Sequence, residues 1–448
     1  MSVAEAIQSV ETLLRQAVET LPFQRRHVTF LLGTDAGIQH EARVALTPSH
    51  LAKLRADLIG LGLEPEILVH AGAGVRAISD DHGEGFSDDE YADAGGTVVD
   101  PMQLANHGPL DVVHALKEPT EYESLLPGPF LRIGALHLAS RPPGVCSMLA
   151  QKNFAGIFDG GTLGNCSYLR TGADRTPIVA CMSRFAGAVS GRKVVEGLAK
   201  NGLSSGRILV VGGGVAGRSA ISKLDPSNTD LVVVEIWPSA AEAVEQAAHK
   251  RGFRSVRVVD ALTDGLFEDA IGIIFAHRSG AKAAEKVCHF RQVQKMRRGA
   301  AIADIAIDQG GSINHDAYDE NDDANVARGK YKQLLKDFYY YAETNMPREE
   351  PYEASEMHGD ASLPYIQLLL TLCAHHGSPA AVVQELMQLP ARSFNHFEEL
   401  GSQNLLQSFK QDLRNGLQIT QKGGAIRILD PDIERDTALR SWVESCAG

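Results

Sequence analysis

The chain has 448 residues, enough for about two or three domains, with 44% apolar residues, 22% charged residues and a formal net charge of −13. A chain this acidic lacks the basic face that a nucleic-acid backbone requires, and no apolar run approaches the roughly 18–20 residues that span a bilayer. We therefore expect a cytoplasmic protein with neither a nucleic-acid partner nor a membrane partner.

The first 26 residues repeat apolar side chains at helical spacing without a signal-peptide pattern, which predicts a helical extension over residues 1–26. Apolar runs then predict a helix over residues 49–61 and strands over residues 27–33, 64–70, 112–116 and 131–138. A second series begins near residue 182, with a helix over 183–200 and strands over 207–211, 231–235, 256–259, 272–276 and 300–307. Past residue 345, a proline-containing connector leads to an apolar helix over residues 362–374.

Strands that alternate with helices indicate an α/β fold with largely parallel sheets. Because the pattern changes after residue 345, we predict two Rossmann-like domains with a cleft between them, the substrate domain being discontinuous. The substrate domain comprises residues 27–182 and 346–448, and a nucleotide-binding Rossmann domain comprises residues 183–345.

No segment carries a metal signature. The six cysteines include no C-x-x-C pair and no histidines at the spacing of a zinc site, so we expect reduced, mostly buried thiols. The acidic stretch 318–325 lacks the spaced glycine of a calcium loop, so we expect a solvated loop there. We therefore predict no metal.

A G-x-G-x-x-G pattern follows the strand over 207–211 and opens a helix, the context that a dinucleotide site requires. Its glycines permit a tight turn, close approach of the backbone to a pyrophosphate, and close packing of the helix on the strand. The predicted cofactor-binding residues of this turn are Gly212, Gly214, Val215, Ala216 and Gly217.

Glu235 stands at the end of the next predicted strand. A carboxylate at this position hydrogen-bonds the adenosine ribose hydroxyls and repels a 2′-phosphate. No arginine or lysine follows closely along the chain, so we predict that the cofactor is NAD rather than NADP.

Four charged residues in apolar surroundings end strand-like runs, where α/β folds place their ligand crevices: Arg43, Lys117, His137 and Asp308. Any one of them alone is equally compatible with a structural role. We expect the four to converge on one cleft between the domains.

Together with the fingerprint, their segments resemble the alanine dehydrogenase and nicotinamide nucleotide transhydrogenase family over about residues 28–369. The matching segments are RVALTP (43–48), GFSD (85–88), LKEP (116–119), LHLA (136–139), GGGVAG (212–217), DIAIDQGG (304–311) and NMP (345–347).

The resemblance implies that Arg43 and Lys117 hold the substrate carboxylate and the reacting carbonyl. It implies that His137 is the acid/base group, that Asp308 assists proton transfer and orients water, and that Asn345 lies near the nicotinamide. These residue types suit the chemistry, because arginine binds carboxylates in a bidentate fork and histidine titrates near neutral pH. The resemblance also implies an amino-acid or oxo-acid substrate and a homo-oligomer.

The chain departs from the alanine-specific pattern at Ala135, where the family usually has an aromatic residue, and at Arg184, where it usually has an acid. A smaller side chain and an added cation near the pocket predict a substrate larger than alanine. FAGAVSG (185–191) and EASE (353–356) are instead similar to fungal-type saccharopine dehydrogenase.

Three functions therefore stay open. The first is an NAD-dependent oxidoreductase that deaminates an L-amino acid reversibly to a 2-oxo acid. The second is an opine- or saccharopine-type dehydrogenase acting on a secondary amine. The third is a non-catalytic, transhydrogenase-like nucleotide-binding module. Two features of the sequence disfavour it: the acid/base pair His137 and Asp308 is present, and no apolar run is long enough to span a membrane.

Overall fold

The structure is a computed structural model. It describes residues 12, 15–16, 18–35, 41–74, 85–136, 138, 141–160, 163, 178–277, 285–315, 324–389, 405–422, 424–429 and 434–447. Most of the predicted N-terminal helix and of the acidic stretch 318–325 lies outside these residues, although Thr12, Arg15, Gln16 and Val18 are helical.

The chain divides into two compact units. One unit is built from both ends of the chain, Met1–Cys181 and Glu350–Gly448, and we call it the split unit. The other, which we call the central unit, is the contiguous segment Met182–Glu349. The assignment of the two units to substrate and cofactor stays a prediction at this stage.

Strands and helices alternate along most of the described chain. The strands are β1 (His27–Leu32), β2 (Glu64–His70), β3 (Thr97–Val99), β4 (Val112–His114), β5 (Phe130–Gly134), β6 (Phe154–Asp159), β7 (Gly206–Val211), β8 (Thr229–Val234), β9 (Val256–Val259), β10 (Gly272–Phe275), β11 (Cys288–His289), β12 (Ala301–Asp304), β13 (Ile313–Asn314), β14 (Tyr339–Tyr341), β15 (Leu417–Lys422) and β16 (Ala425–Ile428). The helices are α1 (Pro48–Gly60), α2 (Asp88–Asp93), α3 (Pro101–Ala105), α4 (Pro143–Gln151), α5 (Ile178–Lys200), α6 (Val215–Ile221), α7 (Pro238–Arg251), α8 (Asp264–Phe267), α9 (Phe290–Val293), α10 (Ala324–Leu334), α11 (Pro351–His376), α12 (Pro379–Leu386), α13 (Leu405–Gly416) and α14 (Thr437–Ala447).

Each unit contains one large sheet. The sheet of the split unit has the order β16-β15-β6-β5-β4-β1-β2-β3. Strands β1 to β6 are parallel, β15 pairs antiparallel with β6, and β16 pairs antiparallel with β15. The sheet of the central unit has the order β14-β12-β10-β7-β8-β9 and is entirely parallel. Because the strand order reverses between β1 and β4 and between β7 and β10, each sheet has a switch point where ligands bind in such folds. The predicted α/β class with two Rossmann-like sheets is confirmed.

The boundaries of several elements differ from the sequence prediction. Helix α11 begins at Pro351 rather than at residue 362, because a proline in the first turn starts a helix instead of interrupting it. The strand predicted over 300–307 ends at Asp304, whose side chain accepts a hydrogen bond from the Ala306 N–H and starts a 3-10 turn, Ile305–Gln309. Seven strands were not predicted: β3, β6, β11, β13, β14, β15 and β16.

The expectation that all cysteines are reduced is wrong for one pair. Cys146 on α4 and Cys446 on α14 form a disulfide, with their Cα atoms 4.9 Å apart. The two are separated by 300 residues, and they meet because apolar side chains of α4 and α14 pack in one cluster. Among the described residues, Cys181, Cys288 and Cys373 are buried.

Within the described residues, no single helix is long and apolar enough to cross a membrane. Helices α11 and α12 together are long and apolar enough by length and composition only, and the chain bends by 102° between them.

Candidate active site

The glycine turn after β7 has the geometry predicted for a dinucleotide site. Gly212 adopts a φ of 99°, in the left-handed region that favours glycine, and donates its N–H to the Val234 carbonyl at 2.8 Å. A Cβ on Gly217 would lie 1.9 Å from the Gly212 carbonyl oxygen, so only glycine lets α6 pack this closely. A Cβ on Gly214 would meet nothing within 4 Å, which leaves this side of the turn accessible to a ligand. Val215 and Ala216 then begin α6.

Glu235 follows β8 and holds the glycine turn in place. Its Oε2 accepts the Gly213 N–H at 2.7 Å, and its Oε1 accepts the Trp237 N–H at 2.9 Å. A carboxylate has about four acceptor sites, so these two bonds leave capacity for ribose hydroxyls. Turn and carboxylate together fit NAD: the turn would hold the pyrophosphate and Glu235 the adenosine ribose.

Arg218 on α6 is a cation that the sequence analysis missed. Its Nη1 donates to the Gly213 carbonyl at 3.0 Å. Burial lowers the pKa of Arg218, and the neighbouring Glu235 carboxylate acts in the opposite direction. No cation follows Glu235 closely along the chain, whereas Arg218 reaches the turn from the adjacent helix.

The turn that carries Asp308 follows β12 and is tied at both ends. Asp304 accepts hydrogen bonds from the Ser312 N–H at 2.8 Å and from the Ser312 hydroxyl at 2.7 Å, and burial raises its pKa. Lys286 donates from Nζ to the carbonyls of Gly310 and Gly311 at 2.6 and 2.7 Å. Burial lowers the pKa of Lys286 to about 8, against the opposing charge of Asp304. The Asp308 side chain lies outside the described part of the structure.

Asn345 and Arg184 are the other two predicted site residues of the central unit. Asn345 has a φ of 65°, in the left-handed region, which asparagine adopts more readily than most non-glycine residues. Its carbonyl accepts the Arg348 N–H at 3.0 Å. Arg184 on α5 is exposed, and its carbonyl accepts the Ser219 hydroxyl at 2.7 Å.

In the split unit, Asp35 joins the chain leaving β1 to the chain leaving β4. Its Oδ2 accepts the Leu116 N–H and its Oδ1 the Lys117 N–H, both at 3.0 Å. Burial and then the nearby Glu41 carboxylate raise the pKa of Asp35 to about 7, although the two N–H bonds oppose this shift. Asp35 therefore fixes the backbone of Lys117 at the switch point of the sheet.

Arg43 and Glu41 form a buried ion pair beside this point. The Arg43 Nε and Nη2 donate to the two Glu41 oxygens at 2.8 and 2.7 Å, and the Arg43 N–H also donates to Oε1 at 2.9 Å. Burial alone would raise the pKa of Glu41, but the charges and hydrogen bonds of Arg43, with help from Lys117, lower it to about 2. The fork on Glu41 uses two of the five N–H donors of the guanidinium.

The chain leaving β5 lies next to Lys117. The Ala135 N–H donates to the Leu116 carbonyl at 3.1 Å, and the Leu136 N–H donates to Asp159 Oδ1 at 3.2 Å. His137 follows directly but lies outside the described residues. The structure thus brings Arg43, Lys117 and Ala135 to one edge of the split unit, while the convergence of all four charged residues stays a prediction.

Buried polar residues behind this edge escaped the sequence analysis. Arg132 and Glu123, both fully buried, pair through Nε and Oε2 at 3.1 Å. The rings of His114 and His358 stack with their centroids 5.6 Å apart. Burial lowers the pKa of His114 to about 3 and that of His358 well below its usual value, so both rings are neutral. Within the described residues, no group of three histidine, cysteine or acidic side chains is arranged to hold a metal.

Comparison with known proteins identifies relatives of both halves of the fold. The family model described as alanine dehydrogenase/PNT, N-terminal domain, matches residues 37–158, and its C-terminal counterpart matches residues 182–389. The alanine dehydrogenase of Staphylococcus saprophyticus is 28% identical over 349 residues, which are 74% of this chain and 84% of that protein. The alanine dehydrogenase of Bacillus subtilis is 26% identical over 348 residues, 73% of this chain and 82% of that protein.

Solved structures share the fold. An L-alanine dehydrogenase superimposes with a TM-score of 0.62 and 19% identity, covering 93% of this chain and 100% of that chain. A transhydrogenase from Sinorhizobium meliloti superimposes with a TM-score of 0.56 and 16% identity, covering 77% of this chain and 95% of that chain. At these identities, the two structures are evidence for the fold alone.

Proposed function

The chain belongs to the alanine dehydrogenase/PNT family, and we propose that it is an NAD-dependent oxidoreductase acting on the C–N bond of an L-amino acid. The reaction is reversible oxidative deamination. An amino acid, water and NAD⁺ give a 2-oxo acid, ammonium, NADH and a proton.

One observation carries this proposal most strongly: the glycine turn after β7 is held by the Glu235 carboxylate, which directly follows β8. The Gly213–Glu235 bond of 2.7 Å sets turn and carboxylate side by side at the carboxyl edge of a parallel sheet. This is the arrangement that binds a dinucleotide while disfavouring a 2′-phosphate. Bound NAD supplies the hydride acceptor.

The residues of the split unit bind and orient the amino acid in this proposal. Arg43, oriented by Glu41, offers donors to the substrate carboxylate, and Lys117, fixed through its backbone by Asp35, polarises the reacting carbonyl. His137 takes and returns the proton at the substrate nitrogen and at the attacking water.

On the central unit, the turn tied by Asp304 and Lys286 presents Asp308, which orients the attacking water. Asn345 would lie near the nicotinamide when NAD is bound.

We also propose that the substrate is larger than alanine. Ala135 directly precedes the LHLA segment of His137, at the position where the family usually has an aromatic ring. Its methyl group leaves room for several more heavy atoms, and Arg184 supplies a positive charge for a polar or carboxylate-bearing tail.

The test is a screen with NAD and a panel of amino acids, alone and combined with 2-oxo acids, following the absorbance of the reduced nicotinamide. Turnover with single amino acids supports deamination, whereas turnover only with an amino acid and an oxo acid together indicates a secondary-amine enzyme. Binding of NAD without any turnover contradicts the proposal. If alanine gives the highest kcat/KM with the unmodified protein, the larger pocket is refuted; if a longer amino acid does, Ala135→Tyr should shift the preference towards alanine.

A further inference from the structure

Two large apolar side chains stand exposed directly after the carboxylate of the dinucleotide site. Ile236 is 65% exposed and Trp237 is 59% exposed, at the point where the chain leaves β8. An exposed tryptophan forgoes the burial that an aromatic side chain of this size normally gains. Two such residues in succession, next to a ligand-binding group, indicate a surface that a ligand covers.

The backbone of this pair is held in place. The Trp237 N–H is bonded to Glu235 Oε1, and Trp237 is the N-terminal capping residue of α7, with Pro238 in the first turn. The Trp237 backbone is therefore fixed next to the carboxylate, and only the side-chain torsions of the indole have to be ordered when a ligand binds. A restricted aromatic surface binds a ligand at a lower entropic cost than a mobile one.

The register of the sheet sets this pair beside the glycine turn. Strands β7 and β8 are parallel, with Val211 opposite Val234, so Gly212–Gly214 and Glu235–Trp237 leave the sheet at the same level. In NAD the adenosine ribose lies between the pyrophosphate and the adenine. With the pyrophosphate at the turn and the ribose at Glu235, the adenine comes next, on the side of the residues that follow Glu235.

We propose that Trp237, assisted by Ile236, provides the stacking surface for the adenine of NAD. A purine has two apolar faces, and stacking on an aromatic side chain covers one of them whatever hydrogen bonds its edge makes. The inference deepens the proposed function and rests on its NAD site. It assigns adenine recognition to stacking, and the choice between NAD and NADP to Glu235.

The consequence is a loss of affinity confined to ligands that contain adenine. Trp237→Ala weakens binding of NAD and of ADP-ribose by about 5- to 150-fold, the usual range for one base–aromatic stack. Trp237→Phe retains most of the affinity because a phenyl ring still stacks. Nicotinamide mononucleotide, which has no adenine, binds both variants as it binds the unmodified protein. Met102→Ala is the matched control, because Met102 is 73% exposed and lies in the other unit.

The chain offers a direct spectroscopic readout because it has only two tryptophans, Trp237 and Trp442. In a Trp442→Phe variant, NAD and ADP-ribose quench the fluorescence of Trp237, and nicotinamide mononucleotide does not. Calorimetric titration of the full chain supplies the dissociation constants without any need for turnover.

Three outcomes overturn the inference: unchanged NAD affinity in Trp237→Ala, equal losses for ligands with and without adenine, or a change only in the oligomeric state. If the unmodified chain binds NAD normally in those experiments, the proposed function stands and the stacking surface alone is refuted. If the unmodified chain binds no NAD, both fail.

Discussion

Replacing Glu41 with glutamine tests how strongly the buried pair with Arg43 stabilises the split unit. The side chains are 0% and 3% exposed, so Glu41→Gln leaves a guanidinium in the interior without its counter-charge. Removal of one partner of such a pair costs about 3–5 kcal/mol. The pKa of Glu41 leads to a similar figure, since a fall from 4.5 to about 2 corresponds to ~3 kcal/mol of stability at neutral pH.

The same shift fixes the direction of the pH dependence. Because the pKa of Glu41 is lower in the folded chain, its contribution is complete above the unfolded value of 4.5 and is lost as the pH falls towards 2. The difference between unmodified protein and Glu41→Gln should therefore be full at neutral pH and shrink below pH 4.5. We also expect a higher KM for the amino acid, because Arg43 loses the group that orients it.

The assay is urea unfolding in a Trp237→Phe background, where Trp442 on α14 is the only tryptophan and reports on the split unit alone. Glu66→Gln is the control. Glu66 pairs with His27 and His107 at 3.4 and 3.3 Å but is 37% exposed, so its loss should cost less than about 1 kcal/mol. If Glu41→Gln is no more destabilising than this control, or if its effect is the same in acid, the reasoning is refuted.

Three further predictions concern the reaction. His137→Ala should lower kcat by roughly 100-fold or more, as loss of a general acid–base group usually does, and near-normal turnover would remove His137 from the mechanism. Glu235→Ser combined with Ile236→Arg should raise kcat/KM with NADP relative to kcat/KM with NAD, because a carboxylate that repels the 2′-phosphate is replaced and a cation is added. A preference for NADP in the unmodified protein would contradict the assignment of cofactor choice to Glu235. Lys286→Met should lower kcat by about tenfold or more with unchanged NAD affinity, because the carbonyls of Gly310 and Gly311 lose their hydrogen-bond donor. Lys286→Arg should restore part of the rate. An equal loss in both variants would argue against a positioning role for Lys286.

Apolar runs and glycine spacing predicted the strands and turns whose conformation depends on neighbouring residues in the sequence. Strand β2 was predicted with its observed bounds because a central Ile-Leu-Val run marks it, and the glycine turn was predicted because only glycine fits at Gly212 and Gly217. The FAGAVSG segment was noted as a resemblance, and the structure adds a packing reason. A Cβ on Gly187 would lie 2.1 Å from the Ala216 carbonyl oxygen of α6.

No local sequence pattern predicted the residues whose hydrogen-bond or ion-pair partners lie far away along the chain. Asp35 bonds to backbone groups about eighty residues further along the chain, and nothing in the sequence around it indicates that contact. Arg132 interrupts an apolar strand, a pattern that favours exposure, yet it is fully buried because Glu123 neutralises it there. Such pairs become visible only once the strand order is known.

The interrupted layout of the split unit has a consequence for how the protein is made. The central unit is one continuous stretch and can fold as soon as Glu349 has left the ribosome. Synthesis of the split unit begins first but is completed last. Its N-terminal strands β6 and β1 contact the C-terminal elements β15 and α11, which are translated after the central unit. Until those segments are synthesised, β6 offers an unpaired edge and β1 an uncovered apolar face, both of which favour aggregation. The nascent chain is therefore most exposed to aggregation from the completion of β6 until β15 has been synthesised.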